Sequence, residues 1–218
     1  MRLHFGAIPS SPDFTPDTLW KSLGYPSPWM EKLVAFPIGM FAAVVVAVLW
    51  FAITPLQDVT SLPAFLVSFA TIIGSFGLYP TPTMSFPGFL FSFAGIVVVH
   101  ELLHVAVHPM SGRSAHSIVG FWPSGGVFYG HYAGEMTRNR FVAILLMPLV
   151  VISFVPLLVA AVAQVASGWV AFISAFNAFC ACGDILLAGL VLFQTPATAI
   201  VRQQGWRTYW REHENLAA

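Results

Sequence analysis

The sequence predicts an all-α polytopic membrane protein. It would have four full transmembrane helices, a further segment that is either a fifth span or re-entrant, and a small β-hairpin-like loop. Three observations carry this expectation. Of 218 residues, 57% are hydrophobic and only 8% are charged, against about 25% charged in an ordinary soluble domain. Mean hydropathy is +0.79. Four apolar runs, at about 33–54, 86–108, 139–166 and 168–193, reach the roughly 20 residues that a bilayer requires.

In chain order, residues 1–32 are polar and proline-rich and lack the pattern of a signal peptide. They read as a cytoplasmic or interfacial segment of a single membrane-embedded domain, 1–218, with a transmembrane core at 33–193 and an interfacial tail at 194–218. The segment at about 62–79 is long enough to span but carries Pro63, Gly74 and Gly77 and is rich in Ser and Thr. Lysine and arginine number nine and fall before the first run, after the second and after the fourth. If 60–80 is re-entrant, all of them lie on one side, which the positive-inside rule makes cytoplasmic. The expected location is then the cell (inner) membrane, multi-pass, with both termini cytoplasmic. Net charge is zero, which leaves no electrostatic footprint for nucleic acid.

Between the second and third runs, Ser117 to Tyr132 reads as a hairpin, with strands near 117–122 and 127–132 around Ser124-Gly125-Gly126. Its alternative is a plain interfacial loop. Thr137 can cap the next helix, Arg138 and Arg140 suit headgroups, and Pro148 and Pro156 should bend the third span. The tail from Pro196, with Trp206, Tyr209 and Trp210, reads as an amphipathic segment lying on the membrane surface. Cys180 and Cys182 face apart on a helix, so no disulfide is expected between them.

The chemistry concentrates in His100-Glu101-Leu102-Leu103-His104. Residues i and i+4 share a helix face, so His100 and His104 can bind one metal ion. Glu101 then lies where the general base for a metal-activated water is needed. His108 is about 12 Å from His100 along a helix axis, too far to join them. A third ligand is needed, and Asp184 is the first candidate. It is the only acid in the fourth run, as Glu101 is in the second, and ionisable groups at membrane depth are costly. Cys180, one turn away, is another. His116, His131 and Glu135 are reserve candidates for metal or proton-transfer roles. Asn177, on the face of Asp184, could hold substrate or simply bond a neighbouring helix; Gly125, Gly126 and His131 belong to a hairpin whose edge could take an extended substrate. The bland alternative is a buried polar network of His100, Glu101 and Asp184 without metal.

Together with Leu3-His4-Phe5-Gly6, Arg140-Phe141, Leu146-Met147-Pro148 and Asn177 followed by Gly183-Asp184-Ile185, the motif resembles the putative zincin peptidases, small membrane proteins of bacteria and archaea. More distantly the plan is similar to site-2 intramembrane metalloproteases. That resemblance implies His100, His104 and Asp184 as ligands of one Zn2+ per chain and Glu101 as base. The sequence departs from the site-2 pattern in having Gly183-Asp184-Ile185 where Leu-Asp-Gly is usual.

The function this implies is zinc-dependent intramembrane peptide hydrolysis. Its partners would be the lipid bilayer and a transmembrane or membrane-associated protein substrate, with no nucleic acid. The rivals are a metal or proton transport protein, a haem-binding protein, and a non-catalytic metal-binding membrane protein that holds substrate helices uncut.

Overall fold

The computed structural model describes residues 1–25, 28–53, 86–164 and 167–212. The helices are α1 (Pro28–Ile53), α2 (Phe86–Val107), α3 (Arg138–Ala163), α4 (Gly168–Cys180) and α5 (Cys182–Gln194). The strands are β1 (Arg2–Phe5), β2 (Lys21–Ser22), β3 (Ser117–Trp122), β4 (Val127–Tyr132), β5 (Met136–Thr137), β6 (Ile200–Gln204) and β7 (Arg207–Arg211).

The expectation of an all-α protein with four full transmembrane helices is corrected. Among the described residues two helices are long and apolar enough to cross a membrane, Leu33–Ile53 and Arg138–Ala163, or up to three if α4 and α5 together make one span. The apolar run at 168–193 is interrupted at Ala181, whose amide returns to the Asn177 carbonyl. In α2 the described apolar stretch, Phe93–Val107, is short. Hydropathy alone cannot separate a span from an apolar helix buried against protein. The borderline segment at 62–79 lies outside the described residues.

Two sheets replace what the sequence suggests are irregular ends. One has the order β1-β3-β4, with β1 parallel and β4 antiparallel to β3. Its hairpin falls where alternation and the glycine turn place it: Ser117 pairs with Tyr132 and Trp122 with Val127. Gly126 closes the turn at φ +63°, a conformation that favours glycine. The other sheet has the order β2-β7-β6-β5, every pair antiparallel. The tail is thus a β-hairpin. Gly205, at φ +56°, takes the first central position of its two-residue turn. Arg202 is nearly buried there and bonds Asp13 at 3.0 Å.

By contact the chain divides into two compact units. The first comprises Met1–Ala35, Val99–Pro148 and Gly183–Ala218; the second comprises Phe36–Val98 and Leu149–Cys182. In the first, Leu23, Tyr132, Met136, Phe141, Ile144, Leu145, Val191 and Val201 form the main core. This core joins α3 and α5 to both sheets. Thr137 accepts the Arg140 amide at 3.4 Å and so caps α3 as its sequence predicts.

In the second unit, Val46, Trp50, Leu157, Ala160, Ala171 and Ala178 form the core. Here α3 carries a π-helical turn at Leu149–Phe154, between its two prolines. Pro156 has no N–H to offer the Ile152 carbonyl. The Ser174 hydroxyl from α4 supplies that donor at 3.3 Å. Ser153 in turn donates to the Ser174 carbonyl at 2.7 Å. The π turn between the prolines is therefore braced by side-chain hydrogen bonds.

Candidate metal centre

His100 and His104 lie one turn apart on α2, both buried, with ring centroids 4.9 Å apart. Asp184 comes from the first turn of α5, where the helix dipole favours a carboxylate. The break at Ala181 makes that first turn. His100 Nε2 lies 3.1 Å from Asp184 Oδ2, and His104 Nε2 lies 3.5 Å from Asp184 Oδ1. Residues 80 positions apart in sequence, on two helices, thus converge on one point. The ligand atoms of His100, Glu101 and His104 lie within 4.8 Å of one another, a group that could hold a metal ion.

Neighbouring backbone holds these side chains in place. His104 Nδ1–H donates to the Ile144 carbonyl of α3 at 2.8 Å. That bond fixes the tautomer and leaves the Nε2 lone pair toward Asp184. The Glu101 carboxylate accepts the Gly130 amide of β4 at 2.8 Å. Gly130 must be glycine for this approach: a Cβ there would lie 2.9 Å from Val105 Cγ2 and 3.0 Å from the Glu101 carbonyl oxygen. The hairpin is thus seated directly on the motif helix.

The C-terminal end of α2 is clamped as well. Arg140, read from the sequence as a headgroup anchor, reaches back to the Val107 carbonyl at 3.2 Å and the His108 carbonyl at 3.3 Å. These are among the carbonyls a helix end leaves unpaired. His108 is buried, with Nδ1 3.3 Å from Ser117 Oγ. The helix ends there, and Pro109 opens a short turn with Met110 and Ser111 at positive φ.

The other residues singled out in the sequence fall as follows. His131 is buried in β4, and its Nε2 has no hydrogen-bond partner among the described residues. Burial pushes its pKa down to about 4. Gly125 and Gly126 make the hairpin turn, with the Trp122 ring against Gly125. Asn177, in the second unit, donates to Ser153 Oγ at 3.0 Å. His116 lines a cavity of about 370 Å³ with His4 and Asp13. Glu135 pairs with Arg211 at 3.0 Å. Sequence reasoning missed Gly130, Ile144 and Arg140. Only Gly130 left a signal, since an isolated glycine within a strand often marks close backbone approach.

Two imidazole nitrogens and one carboxylate fit the nitrogen–oxygen set of a catalytic zinc with an open position. A His-Glu-x-x-His helix whose histidines meet a carboxylate from a second helix is the arrangement expected of a zincin-like metal centre. Residues 93–200, which hold both the motif and Asp184, match the model of the family described as "Putative zincin peptidase". Over those residues the chain is similar to that family. No curated protein and no solved structure matches the chain.

Proposed function

We propose that the chain is a zinc-dependent peptidase that hydrolyses peptide bonds of membrane-embedded or membrane-associated proteins, with one zinc per chain. The observation that carries the reading is the meeting of His100, His104 and Asp184 beside a Glu101 carboxylate held by a backbone amide. In this reading the two Nε2 atoms and the Asp184 carboxylate are the ligands. Zinc held there would supply Lewis-acid polarisation of the scissile carbonyl and lower the pKa of its water toward about 7.

Glu101 takes the proton from the attacking water and later delivers it to the leaving amine. The Gly130 amide orients the carboxylate for both transfers, because it engages one oxygen and leaves the other toward the reacting atoms. Burial of His100 and His104 excludes bulk water and fixes their rings. β4 is an edge strand, and an extended substrate segment adds to that edge by main-chain pairing. A helical substrate segment must unwind to bind in this way. The apolar helices α1 and α3 support action at a membrane.

The test is cleavage of a transmembrane peptide library by purified wild type and by Glu101→Gln. The reading expects products from the wild type only, with equal zinc in both proteins. Equal product from the two would remove Glu101 as base, and zinc-loaded wild type that cuts nothing would favour a non-catalytic metal-binding protein.

A further inference from the structure

The sheet β1-β3-β4 presents a partly exposed aromatic row beside the candidate centre. We infer that Phe128, backed by Phe121 and Phe5, is a subsite that binds a bulky apolar side chain of an extended peptide substrate, an inference that rests on the peptidase reading above. The register pairs Phe5 with Phe121 and Phe121 with Phe128. Ring centroids are 5.9 Å apart for the first pair and 4.4 Å for the second. Paired side chains share a face, so the three rings form one row across the sheet. The next row on that face is Leu3, Val119 and Gly130.

Gly130 is the position on which α2 is seated, and its amide reaches Glu101. The phenylalanine row is therefore two residues along β4 from Gly130, whose amide holds the proposed base, about 7 Å at 3.4 Å per residue. A side chain seated on it would belong to a residue about two positions from the scissile bond. Alternation also sorts charge. The face with the phenylalanines carries Leu3, Phe5, Ser117, Val119, Phe121, Phe128, Gly130 and Tyr132, none of them charged, whereas Arg2, His4 and His131 point to the other. Phe5 is 77% exposed, and Phe121 and Phe128 are half-buried.

Main-chain geometry adds a second reason. The Gly130 N–H points away from β3, toward Glu101. In an antiparallel ladder, residues two apart direct their N–H and C=O groups the same way. The N–H and C=O of Phe128 thus face the outer edge of the sheet. Ring and main-chain pairing groups are offered together, two residues from Gly130, as recognition of an extended peptide demands.

The experiment uses full-length Glu101→Gln in detergent, which keeps an acceptor for Gly130. It is titrated with two fluorescent apolar peptides that differ in one residue, Phe or Ala, and wild type is assayed for cleavage of both. The expected result is roughly tenfold tighter binding of the Phe peptide, from burial of one aromatic side chain. Adding Phe128→Ala should bring the ratio near one, and adding Phe128→Leu should keep most of it, with zinc content and melting unchanged in both. If the peptides bind and are cut but Phe128→Ala leaves the ratio intact, the subsite is wrong and the peptidase reading stands. If neither peptide binds and the wild type cuts neither, both fall. If Phe128→Ala instead weakens binding to phosphatidylcholine–phosphatidylglycerol vesicles at an unchanged peptide ratio, the row contacts lipid and the inference is overturned.

Discussion

Gly130→Ala tests how the hairpin and the motif helix fit together. The new methyl would lie 2.9 Å from Val105 Cγ2, 3.0 Å from the Glu101 carbonyl oxygen and 3.4 Å from His104 Cβ. Val105 is β-branched and stiff, and a helix carbonyl cannot swing aside. Overpacking of this kind costs about 1–3 kcal/mol. For a chain of this size each kcal/mol moves the melting temperature by about 2–4 °C, so a fall of about 2–12 °C is expected. Relief of the clash pushes β4 off α2 and draws the amide from Glu101, so cleavage should fall further than stability explains. Gly189→Ala on α5 is the control: beyond the adjoining chain of its own helix, nothing described lies within 4 Å of a Cβ added there, and glycine to alanine in a helix gains up to about 1 kcal/mol. The assay is thermal melting in detergent beside cleavage of one peptide. Gly130→Ala that melts and cuts like wild type would refute this account of the contact.

Other perturbations follow from the same contacts. His131 is held neutral by burial, with its pKa near about 4, against about 6.5 in an unfolded chain. Between those values the unfolded state binds the extra proton, so stability is full above pH about 6.5 and falls as pH drops toward 4, by about 3 kcal/mol at that point. His131→Leu should flatten this part of the melting-temperature profile, and an unchanged slope would clear His131 of any part in acid lability. Arg140→Ala should lower stability by about 1 kcal/mol or more through the two carbonyls it frees. Arg140→Lys should rescue it poorly, because an ammonium lacks the fork that reaches both; hydrogen exchange at the end of α2 reads this directly. Ser174→Ala leaves the half-buried Ile152 carbonyl without the donor that Pro156 cannot provide. It should cost about 1–3 kcal/mol, and a melting temperature within one degree of wild type would show that the π turn satisfies itself.

The parts of the site legible in the sequence were those set by local periodicity or by rarity. The four-residue spacing of His100 and His104 dictates a shared helix face, and Asp184 stood out as a lone acid in an apolar run. The structure brings these three together. Alternation and a glycine turn located the 117–132 hairpin. What failed was the step from apolar length to span. Hydropathy reports that 168–193 avoids water, not that it breaks at Ala181, and it is that break which starts a helix beneath Asp184. The terminal strands were hidden for another reason. β1 pairs with β3 across more than a hundred residues, and nothing in Arg2–Phe5 alone announces a partner that distant. Ile144 was equally hidden, since it acts through its carbonyl and any residue there would offer the same acceptor.

The central claim is that residues from α2 and α5 share one metal ion. Zinc per chain, measured by mass spectrometry on purified wild type, Glu101→Gln and Asp184→Ala, tests it most directly. The account predicts about one, about one and close to none, given three protein ligands and a base that is not among them. Full zinc in Asp184→Ala, or none in the wild type after loading, would contradict it.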